Sequence, residues 1–276
     1  MSVFVIGEMA SAHDGELYKA KQLVDAAVTA GCNAVKVQFW SDADRLADRR
    51  KVPPHYRDIY RRYQIPEEWL SILKDYCGDR IEFMATCFLP EDVATVSPFV
   101  TRFKVSAFES HAQDLLKETI AYADIDDRIM IVSVNDTMGI SPWLLSNIGI
   151  HDVIMYTVTA YPAPLRSINL SSILRIAAAF YRSNGGQPEM GYSDHSGDVD
   201  MGAYAVCALA NVIEVHMALT NTDAFNPDGG SFAHRPVALS HYVNNVRKAE
   251  IVFGSWQRRV SKAERDMKPY HVVTTA

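Results

Sequence analysis

Short apolar runs alternate with longer amphipathic segments along the whole chain. The runs are rich in β-branched residues and short, which is typical of buried strands. They predict strands at Phe4–Glu8, Ala34–Phe39, Ile81–Cys87, Arg102–Ala107, Ile129–Val134, Val153–Val158, Glu189–Ser193 and Val212–Leu219. The amphipathic or alanine-rich segments predict helices at Leu17–Ala30, Pro66–Tyr76, Glu91–Phe99, Gln113–Ala123, Pro142–Asn147, Leu170–Tyr181, Val199–Ala210 and Pro236–Phe253.

Eight strand–helix alternations predict an α/β fold of the (β/α)8 TIM-barrel type in a single domain. The alternative is a doubly wound open sheet, which usually has fewer strands at this length and opens with a glycine-rich turn. The first predicted strand leads instead into Glu8–Gly15, which has no G-x-G-x-x-G motif. We therefore predict a barrel over residues 1–256 and a charged, then polar tail over residues 257–276, which caps the barrel or frays.

Composition excludes several classes of protein. The chain has 276 residues, of which 48% are hydrophobic, and a net charge of −6. A mildly acidic protein is a poor general nucleic-acid binder, because counterion release needs a surplus of basic groups. No apolar stretch reaches the length of a membrane span, and the N-terminus lacks the pattern of a secretory signal. Four scattered cysteines predict buried, reduced thiols, so we expect a cytoplasmic protein without membrane or nucleic-acid partners.

Polar residues occur at the carboxyl ends of the predicted strands, where barrel enzymes carry their reactive groups. Ionisable side chains inside apolar strands are costly unless they are paired or ligated, so their recurrence predicts one shared site. The candidates are Glu8, Lys36, Gln38, Lys104, Glu109, Ser133, Tyr161, Ser193, His195, Glu214 and His216.

Two of these candidates are lysines within strands, Lys36 and Lys104. Such a lysine can form a Schiff base, anchor a phosphate, act as a general base or pair structurally with a strand glutamate. Together with the hydroxyls of Ser133 and Ser193, the two ammonium groups suit a small dianion.

Two histidines, His195 and His216, end adjacent predicted strands. Their imidazoles can share one divalent metal that polarises a carbonyl group, or they can be two unrelated buried histidines. Glu8, Glu109 and Glu214 are then candidates for orienting water, substrate hydroxyls or the lysines.

One connection, Ser41–Ile65, is longer than the others and rich in arginine. Loops of this length in a compact domain are usually functional or disordered. In a barrel it is the second βα loop, on the catalytic face. It is therefore either a substrate lid or a solvated helical turn whose arginines face water.

Seven ordered motifs resemble the sialic acid synthase (N-acetylneuraminate synthase) family across nearly the whole barrel. Gly191–His195 is identical to the family's Gly-Tyr-Ser-Asp-His, and Ala34–Gln38 is similar to its Ala-Val-Lys-Phe-Gln. The other similar segments are Ile6–Gly15, Phe103–Glu109, Ala160–Pro164 with Asn169–Leu170, Val212–His216, and Asn226–Asp228 with Ser231.

The resemblance implies a metal-assisted synthase that condenses phosphoenolpyruvate with a sugar aldehyde and releases a 3-deoxy-2-keto acid and phosphate. It implies that His195 and His216 hold Mn²⁺ or Mg²⁺. It also implies a phosphoenolpyruvate pocket and a set of residues that face the acceptor. The pocket residues are Lys36, Lys104, Ser133, Ser193, Glu8 and Glu214, and the acceptor residues are Glu109, Tyr161 and Asp228, with Ser106 beside the position of a family serine.

Some positions depart from the family pattern. Ala12, Ala107, Thr159 and Gly229 replace family residues on the acceptor side. The resemblance implies a homodimer, but the family's C-terminal antifreeze-like domain has no counterpart before Ala276. We therefore expect an altered acceptor, such as another sugar or a nucleoside-derived aldehyde. A non-catalytic relative that binds a phosphorylated ligand is the alternative.

Overall fold

The computed structural model describes residues 2–125, 127–254 and 260–267. Eight parallel strands pair in chain order and close into a barrel, because the first strand also pairs with the last. The predicted (β/α)8 barrel is confirmed. The strands are β1 Phe4–Glu8, β2 Ala34–Phe39, β3 Glu82–Cys87, β4 Arg102–Val105, β5 Ile129–Val134, β6 Val153–Thr157, β7 Glu189–Asp194 and β8 Val212–His216.

Helices surround the barrel and join consecutive strands. They are α1 Leu17–Ala30, α2 Ala43–Arg50, α3 Pro54–Tyr63, α4 Glu68–Cys77, α5 Pro90–Val96, α6 Gln113–Ile125, α7 Pro142–Asn147, α8 Ser171–Asn184, α9 Met201–Cys207, α10 Pro236–Phe253 and α11 Lys262–Asp266. Local sequence explains their ends. Gly31 adopts φ +83° and ends α1, a left-handed position that glycine favours. The Asp42 carboxylate accepts hydrogen bonds from the first amides of α2.

The barrel interior changes from apolar to polar along each strand. A lower layer of small and aliphatic side chains fills the barrel: Ile6, Ala34, Met84, Ile131, Val153, Met155 and Val212. Successive inward positions are two residues apart. The next inward residues are therefore polar, namely Glu8, Lys36, Thr86, Ser133, Thr157 and Glu214. This period places a polar layer above an apolar plug at the carboxyl ends of the strands.

Several predicted boundaries were wrong where the chain leaves the barrel. β4 ends at Val105 rather than Ala107, because Ala107–Glu109 forms a 3₁₀ turn. β8 ends at His216 rather than Leu219. The long connection Ser41–Ile65 contains the two helices α2 and α3. Its helices pack on the barrel rim through a small hydrophobic cluster made of Trp40, Ala43, Leu46, Tyr63, Phe88 and Leu89.

The remaining sequence expectations concern the thiols and the tail. Cys32, Cys77 and Cys87 are buried and free, whereas Cys207 is exposed, so the expectation of buried thiols was wrong there. In the tail, Ser261 and Glu264 cap α11 reciprocally, and its side chains are exposed. The predicted boundary after residue 256 lies outside the described residues. No helix in the described ranges is long and apolar enough to cross a membrane.

Candidate active site

Lys36 lies at the centre of the polar layer. Its ammonium group forms an ion pair with Glu8 and donates a hydrogen bond to Thr86 Oγ1 at 2.7 Å. Its Nζ also lies 3.4 Å from Glu214 Oε2. The register explains these contacts, because Glu8 pairs with Lys36 across β1 and β2. Glu8 is 1% exposed and does not line the cavity, so it acts on the site through its ion pair with Lys36.

Lys104 enters the same layer from β4. Its ammonium group donates to Ser133 Oγ at 2.8 Å and lies 3.8 Å from Glu214 Oε2. Ser193 Oγ donates to the other Glu214 oxygen, Oε1, at 3.0 Å. Glu214 Oε2 therefore faces both lysines and has no hydrogen-bond partner among the described residues. The Glu214 carboxylate thus faces two buried ammonium groups, those of Lys36 and Lys104.

Burial and charge together set the protonation of this cluster. Burial lowers the pKa of Lys36 to about 8, with Glu214 opposing the shift and Lys104 adding to it. Burial likewise lowers the pKa of Lys104. Burial alone would raise the pKa of Glu214, but the two lysines outweigh it and hold that pKa well below its usual range. The cluster therefore holds a charged Glu214 carboxylate facing the two lysines, while Glu8 also pairs with Lys36.

His195 follows β7 and His216 ends β8, and their ring centroids lie 5.1 Å apart. His195 Nδ1 donates to Val158 O at 2.8 Å, which leaves Nε2 as the lone-pair nitrogen. Burial, followed by the neighbouring His216, lowers the pKa of His195 to about 3, so this ring is neutral. His216 Nδ1 lies 3.4 Å from Asp228 Oδ1. The predicted convergence of the two imidazoles is present.

Asp228 comes from the loop after β8 and is fixed by the loop after β1. The Ser11 backbone amide donates to Asp228 Oδ2 at 3.1 Å. Asn226 Nδ2 donates to Ser11 O at 2.6 Å and joins the two loops. Burial would raise the pKa of Asp228, but His216 and Ser11 outweigh it and lower that pKa. Ser11 and Asn226 were not predicted as site residues, because barrel order makes these two loops neighbours but does not indicate which of their side chains touch.

Two aromatic rings stand beside the histidines. Tyr161 lies 4.4 Å from the His195 ring centroid and is 47% exposed. Phe232 is buried and lies 5.1 Å from the His216 ring. The Tyr161–Pro162 peptide bond is cis. Tyr161 was a predicted site residue, whereas Phe232 was not.

Glu109 lies on the opposite side of the barrel mouth. It accepts hydrogen bonds from the Ser106 hydroxyl and from Arg50 Nε, the latter at 2.7 Å. Arg50 also donates to the Tyr60 hydroxyl at 3.0 Å. The guanidinium is therefore occupied on two sides. Sequence reasoning noted Arg50 only as one of many loop arginines.

The other arginines of Ser41–Ile65 pair with acidic residues. Their partners are Glu91 for Arg45, Asp114 for Arg49, Asp44 and Asp48 for Arg57, Asp44 and Asp58 for Arg61, and Asp223 for Arg62. Neither sequence alternative describes the segment fully. It is a helical wall of the cavity rather than a loop of arginines in water.

One cavity of about 1060 Å³ joins these groups at the carboxyl ends of the strands. All predicted site residues except Glu8 line it, namely Lys36, Gln38, Lys104, Ser106, Glu109, Ser133, Tyr161, Ser193, His195, Glu214, His216 and Asp228. Thr86 and Thr157 were missed because threonine is common in any strand. No three His, Cys, Asp or Glu side chains among the described residues form a group that could hold a metal ion.

The fold and this cavity define a barrel enzyme with a cationic, hydroxyl-rich mouth. The profile of the NeuB family matches residues 23–258. The chain belongs to the NeuB family and is a sialic acid synthase-like enzyme.

Two curated relatives illustrate the relationship. The chain is 32% identical over 270 residues to the spore coat polysaccharide biosynthesis protein SpsE of Bacillus subtilis, covering 90% of this chain and 68% of that protein. It is 27% identical to the N,N'-diacetyllegionaminic acid synthase of Legionella pneumophila, covering 96% of this chain and 77% of that protein.

Solved structures share the fold. The sialic acid synthetase of Leptospira borgpetersenii superimposes with a TM-score of 0.82 at 20% identity, over 98% of this chain and 91% of that one. Bacillus subtilis SpsE superimposes with a TM-score of 0.74 at 29% identity, over 97% and 77% of the two chains.

Proposed function

We propose that this enzyme condenses phosphoenolpyruvate with the aldehyde of a sugar or sugar-derived acceptor. One observation carries the proposal: two buried lysines, their serine hydroxyls and two imidazoles share one cavity in a NeuB-family chain. The names of its relatives support it, since the Legionella protein is a legionaminic acid synthase and the human relative an N-acetylneuraminate-9-phosphate synthase.

We assign the anionic substrate to the lysine cluster. Lys36 and Lys104 supply positive charge, and Ser133 and Ser193 supply hydroxyl donors for phosphate and carboxylate oxygens. Glu214 keeps both lysines protonated until the anion arrives, and its free Oε2 faces them. Burial excludes water from the lysine cluster, which strengthens each charge–charge contact there.

We assign the second substrate to the barrel mouth between the histidines and Glu109. The methylene carbon of phosphoenolpyruvate forms a bond to the aldehyde carbon, and water adds at the former enol carbon. The carbon–oxygen bond to phosphate breaks, so a 3-deoxy-2-keto acid and phosphate leave. Tyr161, Glu109, Ser106 and Asp228 line the acceptor side, where we assign them to binding and orienting hydroxyl groups.

The residues present fit a divalent metal, Mn²⁺ or Mg²⁺. His195 is neutral, and its Nδ1 is fixed by a backbone carbonyl, as is usual for metal-ligating histidines. His216 Nδ1 lies 3.4 Å from Asp228 Oδ1 but makes no hydrogen bond among the described residues. His195 and His216 would hold the metal, leaving positions for water and substrate oxygen. A metal bound there polarises the aldehyde carbonyl.

A direct assay tests the proposal. Phosphate release is measured with phosphoenolpyruvate, Mn²⁺ and a panel of aldehydes, beside calorimetric binding of phosphoenolpyruvate alone. Turnover with any aldehyde supports the proposal. Binding without turnover on every aldehyde favours a non-catalytic relative. A product trapped by borohydride on Lys36 or Lys104 favours a Schiff-base aldolase. Sedimentation of the same sample tests the expected homodimer.

A further inference from the structure

The cavity has an aromatic wall that the proposed chemistry does not use. Helix α3 and the turns after β2, β3 and β4 contribute this wall. We define this wall as Trp40, Tyr56, Tyr60, Tyr63, Phe88 and Phe108, all of which line the cavity. A three-carbon enol ester and an aldehyde at the barrel mouth leave this wall uncovered.

Stacked groups build the wall. The Arg50 guanidinium carbon lies 4.8 Å from the Phe88 ring centroid and 5.4 Å from that of Phe108. Trp40 supports the wall from behind, with its ring centroid 5.6 Å from Phe88 and 5.8 Å from Tyr60. Stacked guanidinium and aromatic planes are a surface on which another planar group packs well.

The two guanidinium groups beside the wall, those of Arg49 and Arg50, are already paired. Arg50 donates to Glu109 and Tyr60. Arg49 donates to both carboxylate oxygens of Asp114, at 2.8 and 2.6 Å. A polyhydroxylated group placed against Arg49 or Arg50 would have to replace these contacts, and each lost hydrogen bond of this kind costs affinity.

Apolar surface remains open on the same wall. Phe108 is 53% exposed and Tyr56 is 44% exposed, and Met138, which lines the same cavity, is 41% exposed. Large apolar side chains exposed within a cavity are typical of a binding surface. One polar atom is also unused, because the buried Tyr63 hydroxyl has no hydrogen-bond partner among the described residues. A ligand heteroatom would supply one.

We infer that the acceptor carries a planar aromatic or heteroaromatic ring at the end remote from its aldehyde. The ring stacks on the aromatic wall while the aldehyde lies by the histidines, so one molecule spans the cavity. This inference rests on the proposed function for the position of the aldehyde. It goes beyond that function by naming the acceptor class, since a simple sugar would cover only the polar residues at the barrel mouth and not the aromatic wall.

A matched substrate pair tests the inference. The ribofuranosyl 5-aldehydes of uridine and of methyl riboside differ only in the group on the anomeric carbon. We expect kcat/KM for the uridine compound to be at least about tenfold higher, which corresponds to one stacked ring. Phe108→Ala should remove about tenfold from the uridine compound and less than about twofold from the methyl compound.

Tyr18→Ala is the matched control, because Tyr18 is also 53% exposed but lies on α1 outside the cavity. Tyr18→Ala should leave kcat/KM unchanged for both aldehydes. Equal kcat/KM for the two aldehydes, or an equal effect of Phe108→Ala on both, would overturn the inference. A change in sedimentation mass for Phe108→Ala with unchanged acceptor kinetics would also overturn it, since the wall would then be a contact between copies.

Unreactive ligands separate this inference from the proposed function. If no aldehyde turns over, calorimetry with uridine and methyl riboside still reports ring binding. Uridine binding that Phe108→Ala weakens supports the aromatic wall even though the condensation has failed. Equal or absent binding of the two ligands overturns it.

Discussion

Replacing Lys104 with methionine separates a substrate anchor from a structural ion pair. The variant keeps the apolar stem and removes the ammonium that donates to Ser133 at 2.8 Å. A charge-assisted hydrogen bond contributes about 1.5–3 kcal/mol. Because about 1.4 kcal/mol is a factor of ten, Lys104→Met should weaken phosphoenolpyruvate binding by about 10- to 150-fold.

The unfolding free energy of Lys104→Met should change much less than its affinity for phosphoenolpyruvate. Burial lowers the pKa of Lys104, so the folded protein holds its charged form at a cost. After substitution, Glu214 keeps Ser193 at 3.0 Å and Lys36 at 3.4 Å. We therefore expect a change in unfolding free energy within about 1 kcal/mol, or a few degrees in melting temperature.

The assay pairs calorimetric titration of phosphoenolpyruvate with scanning calorimetry of the free variant. Lys117→Met, at an exposed position on α6, is the control and should leave both values unchanged. A structural pair gives the opposite result, because breaking a buried pair costs about 3–5 kcal/mol. Wild-type affinity with a large fall in melting temperature would therefore refute the assignment.

Metal binding, pH and packing provide three further tests. His216→Ala should weaken Mn²⁺ binding at least about tenfold by electron paramagnetic resonance, since even groups behind a ligand contribute that much; unchanged binding would remove His216 from the metal site. The lowered pKa of Lys36, about 8, means that its ammonium deprotonates as the pH rises through that value. Phosphoenolpyruvate binding should then weaken by up to about tenfold per pH unit, whereas a flat calorimetric profile contradicts an anchoring role. A methyl group on Gly202 would lie 2.6 Å from Tyr242 Cε1, so Gly202→Ala should cost about 1–3 kcal/mol in thermal unfolding; wild-type stability would contradict the packing of α9 on α10.

The barrel and its polar layer were predictable because both depend on local period. Strands of alternating inward and outward residues place Lys36, Glu214 and Ser133 on the same side as the apolar plug beneath them. The ends of β7 and β8 meet in any barrel with this strand order, so His195 and His216 were predicted to converge.

Loop contacts were not predictable in the same way. Arg50 and Arg49 are neighbours in one arginine-rich segment, yet one pairs with Glu109 at the barrel mouth and the other with Asp114 on α6. Ser11 and Asn226 meet only because two loops fold over the same rim. Such pairings depend on tertiary packing, for which the residue pattern has no periodic signal.

Carbon-13 NMR of phosphoenolpyruvate labelled at its methylene carbon tests the central claim most directly. With Mn²⁺ and an accepted aldehyde, we predict that the olefinic signal is replaced by that of a saturated CH₂ coupled to the acceptor carbon, with one phosphate released for each product. A label that stays olefinic, or that ends in free pyruvate as phosphate appears, would contradict the account.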